Sequence, residues 1–222
     1  MQTTKSWSKM LLVGMSAMVL ALSLVFTGCD DPTGGHNGTG NNTGTGTGDS
    51  NGTDNNTSTV YEVGDTGSAG GLIFYDKSVV SNGWRYLEAA PSSIELPAPW
   101  GAYIKNVSGT GNAIGTGKKN TQLILAYLET ISETGKAVHI CDGRPYGGYT
   151  DWFLPSQGEL NLMYINLKQN NLGNFQNDWY WSSTEAGSTH AWGQDFGNGN
   201  QSGSVPYGAK DKSYLVRVIR QF

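Results

Sequence analysis

The chain has 222 residues, of which 37% are apolar, 14% are charged and 32 are glycine, with a formal net charge of −4. Lys5, Lys9 and four aspartates (Asp30, Asp31, Asp49, Asp54) precede residue 60, which leaves residues 60–222 at −2 with their Lys and Arg scattered; such a surface has no electrostatic footprint for nucleic acid. Only two cysteines occur, Cys29 and Cys141, too few for a disulfide framework.

Lys5 and Lys9 open the chain, and an apolar run from Met10 to Phe26, broken by Gly14, Ser16, Ala17 and Ala21, ends in Thr27-Gly28-Cys29. This layout predicts a secretory signal peptide over residues 1–28. Its small-small-Cys ending resembles a bacterial lipoprotein signal. That resemblance implies cleavage before Cys29, a diacylglyceryl group on its thiol and acylation of the new amino terminus, so that palmitate-type chains hold the protein on a lipid bilayer. Two other readings stand beside it: a plain transmembrane helix, for which a run of about 17 residues is at the lower limit, and an ordinary signal peptide with a cysteine nearby. The expected location is the cell envelope, lipid-anchored at the outer membrane and facing the surface.

Residues 29–59, beginning at the acylated cysteine, are almost wholly Gly, Asn, Thr, Asp and Ser. A segment of that composition cannot bury enough apolar area to offset its ordering entropy, and it is expected to be a disordered tether with a mean reach of about 30 Å. Residues 60–222 suffice for one domain with a sizeable core.

Within it, Gly70-Gly71 leads into Leu72-Ile73-Phe74-Tyr75, a strand-like run that Asp76-Lys77 ends; residues 84–89 alternate and predict a second strand, stopped by Pro91. Residues 91–118 are rich in Pro, Gly and Ser and read as loop. Asn120 can cap a helix running to about Glu133, with Ile124, Leu125, Leu128 and Ile131 at helical spacing and Gly135 as its stop. A second helix follows Pro155. Ser156 and Glu159 form a capping box, and Leu160, Met163, Tyr164 and Leu167 form an inward stripe. After Gly173 the pattern turns to short strands over 179–182, 191–196 and 214–219. Two helices with several short, mostly antiparallel strands predict an α+β domain.

Three stretches are distinctive in this order: Gly147-Gly148-Tyr149-Thr150-Asp151-Trp152-Phe153-Leu154-Pro155-Ser156 with Glu159-Leu160; Tyr180-Trp181-Ser182-Ser183-Thr184-Glu185; and Val216-Arg217-Val218-Ile219-Arg220-Gln221-Phe222. With Gly64-Asp65-x-Gly67 and Gly70-Gly71 ahead of them, they resemble the Lcl_C family, the C-terminal domain of the Legionella collagen-like adhesin, and most of all spirochaetal surface lipoproteins of the Treponema variable-protein kind. The resemblance implies a C-type-lectin-like fold of the formylglycine-generating-enzyme type, with two helices packed on a small, twisted, mostly antiparallel sheet. Residues 151–155 would then lead into the core, and Arg217 and Arg220 would pair with acids such as Glu159 or Asp151 as structural contacts.

Formylglycine-generating enzymes use a redox-active cysteine pair, and this domain has Cys141 alone, which reads as a small buried apolar residue. No catalytic residues are therefore nominated. His139 and Cys141 are too few for a metal site. The Glu-Pro-Asn loop of calcium-dependent lectins does not occur, and Asn177-Asp178 precedes Trp179 in the wrong order. The expectation is a binding protein without enzymatic turnover, cofactor or metal, whose partner is a protein or a glycan; a structural envelope protein, or a relative of the enzymes, is the alternative.

Residues 188–207 mix aromatic, His, amide and hydroxyl side chains with glycine, which is the chemistry of recognition surfaces. The resemblance implies that His190, Trp192, Gln194, Asp195, Asn198, Asn200, Ser202 and Tyr207 face a ligand, in a segment that some relatives diversify. The residues alone equally suit a glycine-rich hairpin with polar surface positions, with Trp192 and Phe196 turned into the core.

Overall fold

The computed structural model describes residues 59–222; the predicted signal peptide, Cys29 and the tether up to residue 58 lie outside the described residues. Strands β1 (Leu72–Ser81) and β2 (Trp84–Ala89) form an antiparallel hairpin. Its turn is Asn82-Gly83, at φ values of 51° and 78°, the left-handed pair that matches the twist of the flanking strands. β1 therefore runs past Asp76-Lys77, where the sequence predicts a stop. Asp76 is held on the strand by Arg85 of β2, whose Nε donates to it at 2.8 Å.

Strand β3 (Leu96–Pro99) lies within the stretch read as loop. Pro97 and Pro99 hide it in the sequence, yet it is an edge strand, where a residue without an N–H is tolerated. Helix α1 (Gly117–Thr130) begins three residues before the predicted cap. Asn120 is instead buried in its first turn and grips the preceding loop, accepting from Gly111 N at 2.8 Å and donating to Gly111 O at 2.7 Å. A short helix α2 (Ala137–Cys141) follows that the sequence reading did not include. Helix α3 (Gln157–Asn166) begins where the capping box puts it. Ser156 N donates to Glu159 Oε2 at 2.7 Å, and Ser156 Oγ accepts from Glu159 N at 3.3 Å.

Strands β4 (Trp179–Glu185), β5 (Ala191–Asp195), β6 (Gln201–Ser202), β7 (Ser213–Val216) and β8 (Ile219–Gln221) complete the fold. The order is β3-β7-β4-β5-β6 in a five-stranded sheet and β1-β2-β8 in a three-stranded one. Pairing is antiparallel except between β4 and β7, which meet in parallel at Tyr180 and Leu215. The domain is thus α+β, but with two sheets in place of one small sheet. The run 214–219, which the sequence predicts as one strand, is divided between them, and Arg217-Val218 is the crossing.

Two cores follow from that crossing. One gathers Trp100, Ile124, Leu128, Val138, Trp152, Leu154, Trp181 and Val218; the other gathers Phe74, Leu87, Phe153, Leu160, Met163, Tyr180, Phe196 and Ile219. Neighbours in sequence go to opposite cores repeatedly, among them Trp152 and Phe153, Tyr180 and Trp181, and Val218 and Ile219. Strand alternation sends adjacent side chains to opposite faces, and here both faces are covered. Among the described residues no helix is long and apolar enough to cross a membrane.

Arg217 and Arg220 both tie this framework together. Arg220 bonds Asp151 at 3.1 Å, as expected, and also Glu88 at 3.3 Å. Arg217 does not reach Glu159; its Nη2 donates to Glu95 at 2.6 Å. Glu159 is occupied as the α3 cap and as acceptor for Gly115 N at 2.7 Å. Cys141 is buried, and burial raises its thiol pKa, which keeps it a protonated, inert group.

Candidate binding surface

The segment 188–207 is carried by β5, β6 and the loops beside them. β5 has one face on α3 and one turned away from it, and this sorts the candidate residues. Gln194 is fully buried. Its Nε2 donates to Asn161 Oδ1 on α3 at 2.9 Å and to Gly199 O at 3.1 Å, and its Oε1 accepts from Gln201 at 3.2 Å. Gln201 in turn accepts from Gln157 Nε2 at 3.1 Å. The expectation that Gln194 faces a ligand is therefore wrong: it is a link in a ladder of amides that fastens β5 and β6 to α3. Phe196 is likewise core, packed against Tyr180 with ring centres 4.4 Å apart.

The remaining candidates lie toward the surface. Asp195 is half-buried and shapes the turn after β5, accepting from Gly197 N at 2.7 Å and from Asn198 Nδ2 at 2.8 Å; Asn198 accepts from Asn200 N at 2.8 Å. Such side-chain caps on backbone N–H groups fix a loop without secondary structure. Asn198 and Asn200 are exposed at its tip. Trp192 is half-buried beneath Gly203; a Cβ at 203 would stand 3.0 Å from its ring and 2.6 Å from Ala186 Cβ, so only glycine lets the loop close there. His190 is half-buried with Nδ1 at 2.8 Å from Thr189 Oγ1, and Ser202 Oγ donates to Ser204 O at 3.2 Å.

Tyr207 is 46% exposed. It is the outermost ring of a stack that the sequence reading missed. Tyr207 lies 4.6 Å from Trp179 at 19°, Trp179 lies 5.5 Å from Tyr214 at 27°, and Tyr214 lies 4.3 Å from the fully buried Trp181. The stack runs from core to solvent. Burial raises the Tyr214 pKa, although its hydroxyl accepts from Gly208 N at 3.1 Å. Val205, 78% exposed, sits two residues from the stack's outer end. The signal for the stack was present as Trp179, Trp181 and Tyr214 at strand positions, but only the β4–β7 pairing brings them together.

The base of the loop is held by Lys210, which is fully buried with Nζ donating to Lys105 O at 2.8 Å and to Glu185. Burial lowers the Lys210 pKa, and the Glu185 carboxylate opposes that shift. The face so built offers exposed amides, hydroxyls and one aromatic ring on a fixed frame. Elsewhere, His139 Nδ1 accepts from Lys136 N at 3.1 Å, and among the described residues no three His, Cys, Asp or Glu side chains converge as metal ligands.

The sequence model of the Lcl C-terminal domain matches residues 102–220, more than half of the chain. No curated protein matches. Among solved structures, a fimbrial protein from Bacteroides ovatus ATCC 8483 is similar at 15% identity and a TM-score of 0.47, over 68% of this chain and 44% of that one. This chain thus spans less than half of that protein's length.

Proposed function

The chain belongs to the Lcl C-terminal domain family, and from that premise we propose that it is an envelope lipoprotein of adhesin type, which recognises a protein or glycan without turning it over. In this reading Cys29 carries the acyl anchor, residues 30–59 are the spacer, and the domain presents its loops outward at the outer-membrane surface in the manner of a C-type-lectin-like module. The observation that carries the reading is the contrast within residues 188–207. Gln194 and Phe196 are locked inside, while Asn198, Asn200, Val205 and Tyr207 are presented to solvent on loops that the amide ladder and the aromatic stack hold in place. Adaptable polar groups around a rigid aromatic anchor are what binding surfaces use. The exposed set is also the part that could vary from one relative to the next without touching either core.

The test is adhesion of intact cells that display the wild type or a combined Asn198→Ala, Asn200→Ala, Tyr207→Ala variant, with equal surface amounts checked by protease shaving. Loss of adhesion with the fold retained supports the reading. Unchanged adhesion of the variant, or full protection of the domain from protease, overturns it.

A further inference from the structure

A second feature lies on the other sheet. The three-stranded sheet buries Leu87, Ala89 and Ile219 on one face; on the opposite face, where alternation puts Tyr86, Glu88 and Arg220, an open cleft of about 420 Å³ runs beneath the segment around Tyr61. That is the size of a small-molecule site.

Its walls are rings and guanidinium groups. Tyr61, Tyr86 and Phe222 pack with centres 5.3 to 5.7 Å apart. Arg220 lies 3.7 Å over the Tyr149 ring and Arg85 lies 4.8 Å over Tyr86. Among the described residues no Asp or Glu side chain lines the cleft; the side-chain carboxylates stand behind the arginines. Asp76 takes Nε and Nη2 of Arg85 at 2.8 and 2.9 Å, while Asp151 and Glu88 take Nε and Nη1 of Arg220 at 3.1 and 3.3 Å. Both guanidinium groups are thereby held in plane and their charge is matched. Among the described residues, Nη1 of Arg85 and Nη2 of Arg220 make no hydrogen bond. Ser68 Oγ, which accepts from Arg220 Nη1 at 2.8 Å, keeps its own O–H to give.

Oriented donors without surplus positive charge do not select an anion: a second carboxylate here would face Asp76, Glu88 and Asp151 behind the arginines. They select neutral oxygen acceptors. Aromatic rings beside those donors add an apolar surface for a ligand with a C–H face. We propose that this cleft binds the terminal pyranose of an uncharged saccharide, with its hydroxyl oxygens accepting from Arg85 Nη1, Arg220 Nη2 and Ser68 and its ring packed against Tyr149 and Tyr61. The site is separate from the Trp179–Tyr207 stack.

Saturation-transfer NMR on the purified protein with methyl glucoside, galactoside, mannoside and N-acetylglucosaminide, and with glucuronate as the charged control, tests it. At least one neutral pyranoside should show transfer that exceeds that of glucuronate several-fold. The signal should fall at least fivefold in Arg85→Ala and in Val80→Trp, a rim substitution at a 72% exposed position that fills the mouth and leaves the frame intact. It should persist in Tyr207→Ala. Absence of transfer from every neutral sugar, preference for glucuronate, or a signal unchanged in both cleft variants overturns the proposal; loss in Tyr207→Ala alone assigns the sugar to the other surface and overturns it too.

Discussion

Replacing Glu88 with glutamine keeps the shape of the side chain and removes its charge from a place where donors converge. Glu88 is fully buried. Its Oε1 accepts from Gly71 N at 2.7 Å and from Ala69 N at 3.1 Å, and its Oε2 accepts from Arg220 Nη1 at 3.3 Å. The loop that supplies these N–H groups is shaped around the carboxylate: a Cβ on Gly67 would stand 2.4 Å from Glu88 Cδ. In Glu88→Gln one oxygen becomes an NH₂ group that must point at Arg220 or at a backbone N–H. Breaking one side of a buried ion pair costs about 3–5 kcal/mol. Arg220 retains Asp151 and Ser68, which places the expected loss near the lower end, about 3 kcal/mol. Against a total stability of about 5–15 kcal/mol, that is a large fraction.

The assay is urea unfolding followed by tryptophan fluorescence. With a slope of roughly 2 kcal/mol per M, 3 kcal/mol moves the midpoint down by about 1.5 M. The double variant Glu88→Gln with Arg220→Gln should lose clearly less than the sum of the two single losses, because each single change leaves a charge stranded. A midpoint shift under about 0.3 M, or simple additivity of the pair, would refute the claim that this network closes the amino-terminal loop on the three-stranded sheet.

Two further outcomes rest on the structure and a third on the proposed anchor. Burial raises the Glu159 pKa above its ordinary 4.5, although backbone N–H groups of Ser156 and Gly115 oppose the shift. A raised folded-state value means that its contribution to stability is full below pH 4.5 and is lost as pH climbs through the folded value, so Glu159→Gln should remove that loss from the curve of midpoint against pH; an unaltered curve refutes it. Gly147→Ala should be far more damaging than Gly148→Ala. Both positions have positive φ, but a Cβ at 147 would lie 2.0 Å from Ala69 O and one at 148 would meet open space, so the second should cost about 1–2 kcal/mol and the first clearly more, read as paired thermal midpoints. Cys29→Ala should abolish incorporation of labelled palmitate and move the protein from the detergent to the aqueous phase; equal labelling would remove the anchor from the account.

What could be read in the sequence was local. The Ser156–Glu159 box is a bond between residues three apart, and it located the start of α3 correctly. The Asn82-Gly83 turn was equally local, but the charged pair Asp76-Lys77 masked it, since nothing nearby says that Arg85 will neutralise Asp76. The errors were non-local. Run 214–219 is apolar apart from Arg217, and its residues do not disclose that its two ends pair with different sheets. Gln194 looks like a surface amide until Asn161, 33 residues earlier, meets it. Arg217 finds Glu95 across 122 residues, a partner that no spacing rule supplies. The same limit holds for the candidate segment 188–207: its residue types do not disclose that Gln194 and Phe196 are buried while Asn198, Asn200 and Tyr207 are exposed.

That division has a consequence for the family's motifs. The stretches that carry the resemblance put neighbouring residues into opposite cores, as with Trp152 and Phe153 or Val218 and Ile219. A shift of the backbone there disturbs two packings at once, because both of its faces are covered. Side chains at the tips of the 195–207 loops touch neither core, and their hydrogen bonds close among themselves, as Asp195, Asn198 and Asn200 do. Exchange of the exposed Asn198, Asn200 and Tyr207 would leave both cores packed, but the replacement side chains would have to refasten the loop that these residues cap and stack upon.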